Sequence, residues 1–296
     1  MAVTISNAAV KAFENNVRHL AQQSTSYLRQ HVTERPLTGE SYAFERLAAS
    51  DAVEKTTRRT ATPNVEPGWS NRVATPKVFH TADTIEHADA AKMLVDPQSA
   101  YTKNFSMSMK RSWDDLIIAA ATAAALDKAG ATPALPAGQQ IGTAGNSTQQ
   151  MTLDLITQVN EKFQNVDMDP DTPRVFVVPP TAVRHMLNTT QLTSADYMSV
   201  KALSQNGMVP NFLGFNWIVS NRLTKTAGAG PSVAALAFTP AAIGLAVNYD
   251  TFTRVSERAD LSYASQVYME WMAGAVRVED EHIVVCHLDQ DYAAPS

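Results

Sequence analysis

The strongest constraint on this chain is residues 33–91, which show no helical periodicity and hold few large apolar side chains. Tyr42, Phe44, Leu47, Trp69 and Phe79 are the exceptions. Such a segment has too little apolar surface to build a core of its own. Tyr42 and Phe44 alternate with polar neighbours, as strand residues do. A second extended run, 71–81, contains Val73, Val78 and Phe79. Between the runs lies TATPNVEPG, whose Pro63, Asn64, Pro67 and Gly68 are turn residues. The pattern predicts a long hairpin with a broad polar tip. A two-stranded ribbon is marginal on its own in water, so it persists where another chain covers it. Loops this long inside compact domains are uncommon and usually functional or disordered.

The next segment carries the strongest helical signal. Asp96 can cap, Pro97 suits the first turn, and the helix can run over 97–128 before Gly130. At about 1.5 Å per residue such a helix is roughly 50 Å long. Tyr101, Phe105, Met109, Trp113, Leu116, Ile117 and Ala120 form one stripe. Phe105, Trp113 and Ile117 are therefore expected inside, with Lys110 and Asp114 more exposed. Asp114 and Asp115 are adjacent and diverge by about 100°, so they do not make a cooperating carboxylate pair. Upstream, Val10, Phe13, Val17 and Leu20, then Tyr27, Leu28 and Val32, recur at helical spacing over 7–32, with a weak interval at 21–26. That amphipathic stripe lies either on its own domain or, as an arm, on another subunit.

A compact α/β pattern follows the Pro/Gly-rich connection at 130–150. GQQIGTAG within that connection lacks the Lys-Ser/Thr ending and the preceding strand of a phosphate loop. Residues 152–163 read as an amphipathic helix, and RVFVV at 174–178 as a buried strand ending at Pro179-Pro180. A helix starts at 181–187, and 194–206 is a polar, helical excursion ending at Gly207. Strands are expected over 212–220 and on either side of Thr239-Pro240 in 233–247. From 263 to 288 the chain alternates as an antiparallel return that turns at Glu279-Asp280.

Composition excludes several classes. Among 296 residues no apolar run reaches the roughly 18 needed for a membrane span. The first residues lack the pattern of a secretory signal, so a cytoplasmic product is expected. The single Cys286 allows no internal disulfide. In the strand pattern HIVVCH it faces away from His287, so a buried structural cysteine is expected. A net charge of −5 argues against a dedicated nucleic-acid binder. The charge is also uneven. Residues 1–80 carry ten Lys/Arg against seven Asp/Glu, whereas 250–296 carry three Arg against nine acids. Either these are solvated faces of opposite sign, or a basic arm meets an acidic patch on a neighbouring copy. The seven His are scattered without ligand spacing, and no nucleophile elbow or paired-carboxylate motif occurs. No catalytic residue, cofactor or metal is therefore assigned.

The order of parts and several stretches carry a resemblance. FENNVRHLAQQSTSYLRQHV, DPQSAYTKNFSMSMKRSWDDLIIAAA, SADYMSVKAL, FNWIVSNRL and MAGAVRVEDEHIVV look like those of a podo- and siphophage capsid subfamily. The chain resembles the major capsid proteins of tailed bacteriophages, with the Hong Kong 97 fold shared by herpesvirus capsid floors and encapsulins. The resemblance implies an α+β fold. Its parts are an N-terminal arm at 1–38, an extended-loop hairpin at 39–91, and a peripheral (P) domain at 92–150 with a spine helix at 97–128. An axial (A) domain at 151–263 and P-domain return strands at 264–296 complete it. It implies a subunit that self-assembles into pentamers and hexamers of an icosahedral shell around a double-stranded DNA genome, built in the bacterial cytoplasm. Portal, separate scaffolding and decoration proteins, and non-specifically packaged DNA, are the implied partners, with no membrane. Gly39, Pro63, Pro67 and Gly68 are expected hinges.

Departures from the family matter. With the arm beginning at Met1, an N-terminal scaffolding segment is not expected here. Lys55 and Lys77 lie in the loop, but no Asn follows Asn248, which disfavours the lysine–asparagine cross-link of some members. The expected inter-subunit contacts are Phe13 and Val17 of the arm, and Tyr42, Phe44 and Trp69 of the ribbon. Arg58, Arg59 and Arg72, near the tip and locally unpaired, are expected to meet Glu279, Asp280 and Glu281 of a neighbour. Two rival readings are an encapsulin-like compartment with enzyme cargo, and an unrelated α/β enzyme with a lid at 33–91.

Overall fold

The structure is a computed structural model that describes residues 22–59, 61–62, 64–86, 97–146, 149–166, 168–169, 171–188 and 212–290. Phe13, Val17, Asp96, Pro63 and most of the polar excursion expected before Pro210 lie outside the described residues. Helix α1 (Pro97–Thr122) turns Phe105, Met109, Trp113, Leu116 and Ile117 inward and leaves Lys110 exposed, as its stripe requires. It ends before the expected residue 128, because the following backbone finds other partners. Ala125 N–H donates to Pro133 O (3.0 Å), Asp127 N–H to Ala131 O (2.9 Å), and Leu126 O accepts from Val73 N–H (2.7 Å). Gly130, with φ of +86°, closes the turn in the left-handed region that favours glycine.

The helical spacing predicted through residue 32 does not survive either. Gln22 to Leu28 is irregular, a short 3-10 turn covers Arg29–His31, and strand β1 (Thr33–Pro36) follows. The backbone N–H groups of Tyr27 and Leu28 bond a side chain of α1 instead of the preceding turn.

A six-stranded mixed sheet carries an extensive apolar core. Its order is β5 (Gln140–Ile141), β12 (Ile283–Asp289), β9 (Ser232–Phe238), β6 (Arg174–Val178) and β7 (Phe215–Val219), with β8 (Lys225–Thr226) also on β9. β6 and β7 are parallel, whereas β9 runs antiparallel to both β6 and β12. Helices α2 (Leu153–Gln164) and α3 (Pro180–Asn188) cover one face, packing Ile156, Val159, Phe163 and Met186 against Phe176, Ala235, Val284 and Cys286. Thr152 caps α2 by accepting from Leu155 N–H at 3.3 Å. Cys286 is buried as expected, and burial pushes its thiol up to about 12. The boundary expected at 263/264 does not separate sheets, because β12 lies between β9 and β5 beside the strands assigned to the axial domain.

A four-stranded sheet runs β1, β10 (Ile243–Arg258), β11 (Ala264–Arg277), β4 (Lys77–Ile85). The expected terminal return is thus not one hairpin: β11 and β12 enter different sheets. A separate two-stranded ribbon pairs β2 (Tyr42–Leu47) with β3 (Trp69–Ala74), in register from Tyr42↔Ala74 to Leu47↔Trp69. The run predicted over 71–81 is therefore split at Thr75-Pro76. A Cβ on Gly274 of β11 would stand only 2.6 Å from Thr75 O, so the chain crosses that strand at closest approach before β4 begins.

The chain forms two compact units. In the one containing 79–111 and 251–271, Phe79 stacks on Trp271 at 4.5 Å and Arg111 holds Gln22 at 2.5 Å. Its β10–β11 end has consecutive left-handed residues, Ser262 and Tyr263, steadied by Arg258 on Asp260. The other unit, 26–78, 112–250 and 272–296, holds the six-stranded sheet and the ribbon.

Candidate assembly surfaces

The ribbon divides into a stem that its own chain buries and a loop that it does not. The Phe44 ring packs flat on Gly244, where a Cβ would come within 2.5 Å of it. Phe44 joins Leu37, Ala74, Ala125, Ala246 and Val276 in a small core, with Tyr42 edge-on at 4.8 Å. These two aromatics, expected to face a neighbour, are largely spent inside the subunit. Phe79 is likewise taken up by Trp271. Trp69 is different: it is 74% exposed and stands opposite Leu47, itself 54% exposed, where the stem opens into 48–68.

Arg72 also departs from expectation. It lies at the buried end of the stem, not near the tip, and its partner is in the same chain. Its Nη2 is 3.1 Å from Asp280 Oδ2. The other oxygen of Asp280 accepts from Nε of Arg277, which is wholly buried. Arg277 also donates to the carbonyls of Ala123 (2.5 Å) and Pro133 (3.0 Å), so all three of its nitrogens are engaged. A fully buried guanidinium is tolerated only when paired and hydrogen-bonded in this way. The node ties the ribbon stem, the chain after α1 and the 278–282 turn together. Sequence reading missed Arg277, although a lone arginine inside the apolar run Val276-Arg277-Val278 was a usable signal. Glu279 pairs with His282 at 3.3 Å, and Glu281 is exposed. Arg58 and Arg59 are exposed in the loop, with Arg59 in a left-handed turn.

Both carboxylates of the acidic pair on α1 are engaged within the subunit. Asp114 is buried, not exposed as expected: it accepts from Ser26 Oγ (2.6 Å), Leu28 N–H (3.1 Å) and Tyr27 N–H (3.2 Å). Asp115 accepts two bonds from Arg222. Arg29 lies over the Trp113 ring at 4.3 Å and bonds Glu34 (2.8 Å) and Asp250 (2.7 Å), which hold its guanidinium above the ordinary arginine range. Residues 26–29 are thus strapped down by side chains rather than by helical bonds, and 33–36 by pairing with β10. Among the described residues no three His, Cys, Asp or Glu side chains are grouped to hold a metal ion.

A family model described as phage capsid protein matches residues 5–289, nearly the whole chain. The chain belongs to the phage capsid protein family. It is a major capsid protein, a structural subunit of the virion shell. Its fold agrees with the capsid of the cyanophage P-SCSP1u (TM-score 0.74, 16% identity, covering 95% of this chain and 93% of that one). The capsid of Ralstonia phage GP4 matches over 100% of both chains (TM-score 0.72, 11% identity). The mature capsid of bacteriophage PhiM1 gives a TM-score of 0.69 at 14% identity, over 96% and 93%. No curated relative matches in sequence. The Hong Kong 97-type α+β fold implied by the resemblance is the fold observed. Neither the cargo compartment nor the lidded enzyme finds support in these matches.

Proposed function

We propose that this capsid subunit forms pentamers and hexamers that close an icosahedral shell around double-stranded DNA, assembled in the host cytoplasm. Residues 39–91 act as the extended loop, and α1 as the spine of the peripheral domain. Residues 151–263 act as the axial domain, and the arm at 1–38 reaches a neighbour through Phe13 and Val17. Portal, separate scaffolding and decoration proteins are its remaining partners, and it meets packaged DNA without sequence preference. Its acidic surplus suits a container that does not trap phosphate.

The observation that carries this reading is Trp69, exposed beside Leu47 on a stem locked into its own subunit. An exposed aromatic on a rigid support is a contact waiting for another chain. The loop beyond it presents Arg58 and Arg59, whose counterparts are Glu279 and Glu281 of an adjacent copy. Arg72 and Asp280, which pair with each other inside the subunit, are not part of that contact. Exposed charge pairs contribute only about 0.2–1 kcal/mol each, yet repetition over every subunit lets them decide assembly. The test is sedimentation and negative-stain microscopy of the purified chain and of Arg58→Glu/Arg59→Glu. Wild type forms closed shells and the double variant stays as folded subunits. Normal shells from the variant would remove these contacts from the reading.

A further inference from the structure

The strand alternation that sends Cys286 into the core under α2 and α3 turns its neighbours Val285 and His287 to the opposite face of the sheet. His287 stands opposite Ala234 of β9. These three buried residues floor a cavity of about 270 Å³, whose rim at Ala134, Ala144 and Thr224 is exposed. Thr122 at the end of α1, Leu135, Gln140 of β5 and Thr226 of β8 complete its wall. Close backbone contact fixes that wall. A Cβ on Gly228 would stand 1.9 Å from Gly145 O, and Gly145 N–H donates to Ser232 Oγ at 2.9 Å. The turn that carries Ala144 is thus clamped against the loop after β8 and the start of β9. A cavity already formed before its ligand arrives costs little to organise.

We propose that this cavity binds a small neutral molecule of the phenol class, one ring bearing a hydroxyl group. Such binding does not depend on assembly. No Asp, Glu, Lys or Arg lines the cavity, so an ionic ligand would be buried there without a counter-charge. Burial lowers the pKa of His287, which keeps its imidazole uncharged at neutral pH. One imidazole without carboxylates beside it is also too few donors for a metal ion. Five of the ten lining residues are aliphatic, which suits a hydrocarbon ring. Volume agrees, since an apolar cavity of roughly 150 Å³ holds benzene and this one has room for a substituted ring. A ring is favoured over a chain because a rigid ligand freezes fewer bonds on binding. The polar half of the wall calls for the hydroxyl. Gln140 Nε2 donates to Leu135 O at 3.1 Å, whereas its Oε1 and the hydroxyls of Thr224 and Thr226 have no partner among the described residues. An amide oxygen only accepts and a threonine hydroxyl does either, so a ligand group that both donates and accepts satisfies each of them.

The probes are para-cresol, toluene and benzoate, titrated into full-length unassembled subunits with labelled Ala, Thr and Val methyl groups. Para-cresol should shift the methyl signals of Ala234, Thr226 and Val285 saturably. Toluene, which lacks the hydroxyl, and benzoate, which carries a charge, should each bind at least tenfold more weakly. Ala234→Leu fills the floor and should lower the affinity for para-cresol at least tenfold. Ala144→Phe, on the exposed rim, should do the same and serves where the buried variant does not fold. No saturable shift, a shift that survives the blocking variant, or toluene or benzoate binding as well as para-cresol overturns the proposal. Binding by subunits but not by assembled shells would give the cavity to a side chain of a neighbouring chain, and overturns it as well.

Discussion

Asp280 and Arg72 lie 208 positions apart in sequence and 3.1 Å apart in space, and their bond fixes the root of the ribbon. The same carboxylate neutralises the buried Arg277. Two guanidinium groups therefore share one anion in a place that water barely reaches. Breaking a buried ion pair by removing one partner typically costs about 3–5 kcal/mol, because the remaining charge is left uncompensated. Asp280→Ala is expected to lose about that much in urea unfolding of the subunit. Arg72→Met should lose clearly less, since Arg277 keeps its carboxylate. Equal losses would show that the node is not organised around Asp280.

Asp114 is expected to be the anchor of residues 26–28. Asp114→Ala leaves the Tyr27 and Leu28 amides and the Ser26 hydroxyl without this acceptor, a penalty of about 1–3 kcal/mol per buried donor before relaxation. Hydrogen exchange at Tyr27 and Leu28 should accelerate, while amides in α2 stay protected. Asp114→Asn, which keeps one acceptor oxygen, should fall between. Unchanged exchange at both amides would contradict the anchor.

Two glycines set how closely the ribbon and the β3–β4 crossing approach the sheet. A Cβ on Gly244 meets the Phe44 ring first, whereas one on Gly274 meets the backbone of Thr75 and Pro76 first. Gly244→Ala should lose ~1–3 kcal/mol, the usual range for overpacking, and regain most of it with Phe44→Leu. Gly274→Ala should lose at least as much and not respond to Phe44→Leu. Thermal melts of the four variants decide this.

Burial lowers the pKa of His185, with Arg184 adding to the effect and Asp289 opposing it, and burial alone lowers that of His287. The unfolded chain takes up these protons near pH 6.5, the folded chain only at lower pH. Between those values the unfolded state binds more protons. Stability is therefore complete above about pH 6.5 and declines as pH falls through that value toward the folded pKa values. The melting temperature should drop between about pH 7 and about pH 5.5, and His287→Gln should shallow that slope. A melting temperature that rises on acidification would refute the assignment.

Much of this was legible in the chain, and the illegible parts share a cause. The stripe through Phe105, Trp113 and Ile117 and the apolar run of Arg174–Val178 announced their elements, because helical and strand periodicity is a local property. The aromatic alternation of Tyr42 and Phe44 announced a strand, though not that Gly244 would absorb the ring. Among the residues proposed for inter-subunit contact, Trp69, Arg58, Arg59 and Glu281 are exposed on the subunit. Arg72 and Phe44 are not.

The sequence by itself determined the long helix and the apolar faces of the strands, since each is carried by spacing along the chain, and its resemblance to phage capsid proteins pointed to the fold class and the family. Tertiary structure alone decided where α1 stops, which sheet β12 joins, and which charges are spent inside the subunit. The α1 stripe could not show that Val73 would claim Leu126 O, ending the helical ladder at Thr122. Nor could the acidic surplus show that Asp280 would be consumed by Arg72 and Arg277, or Asp114 by Leu28. A polar group's fate depends on whether burial brings it a partner, and these partners lie tens to hundreds of residues away.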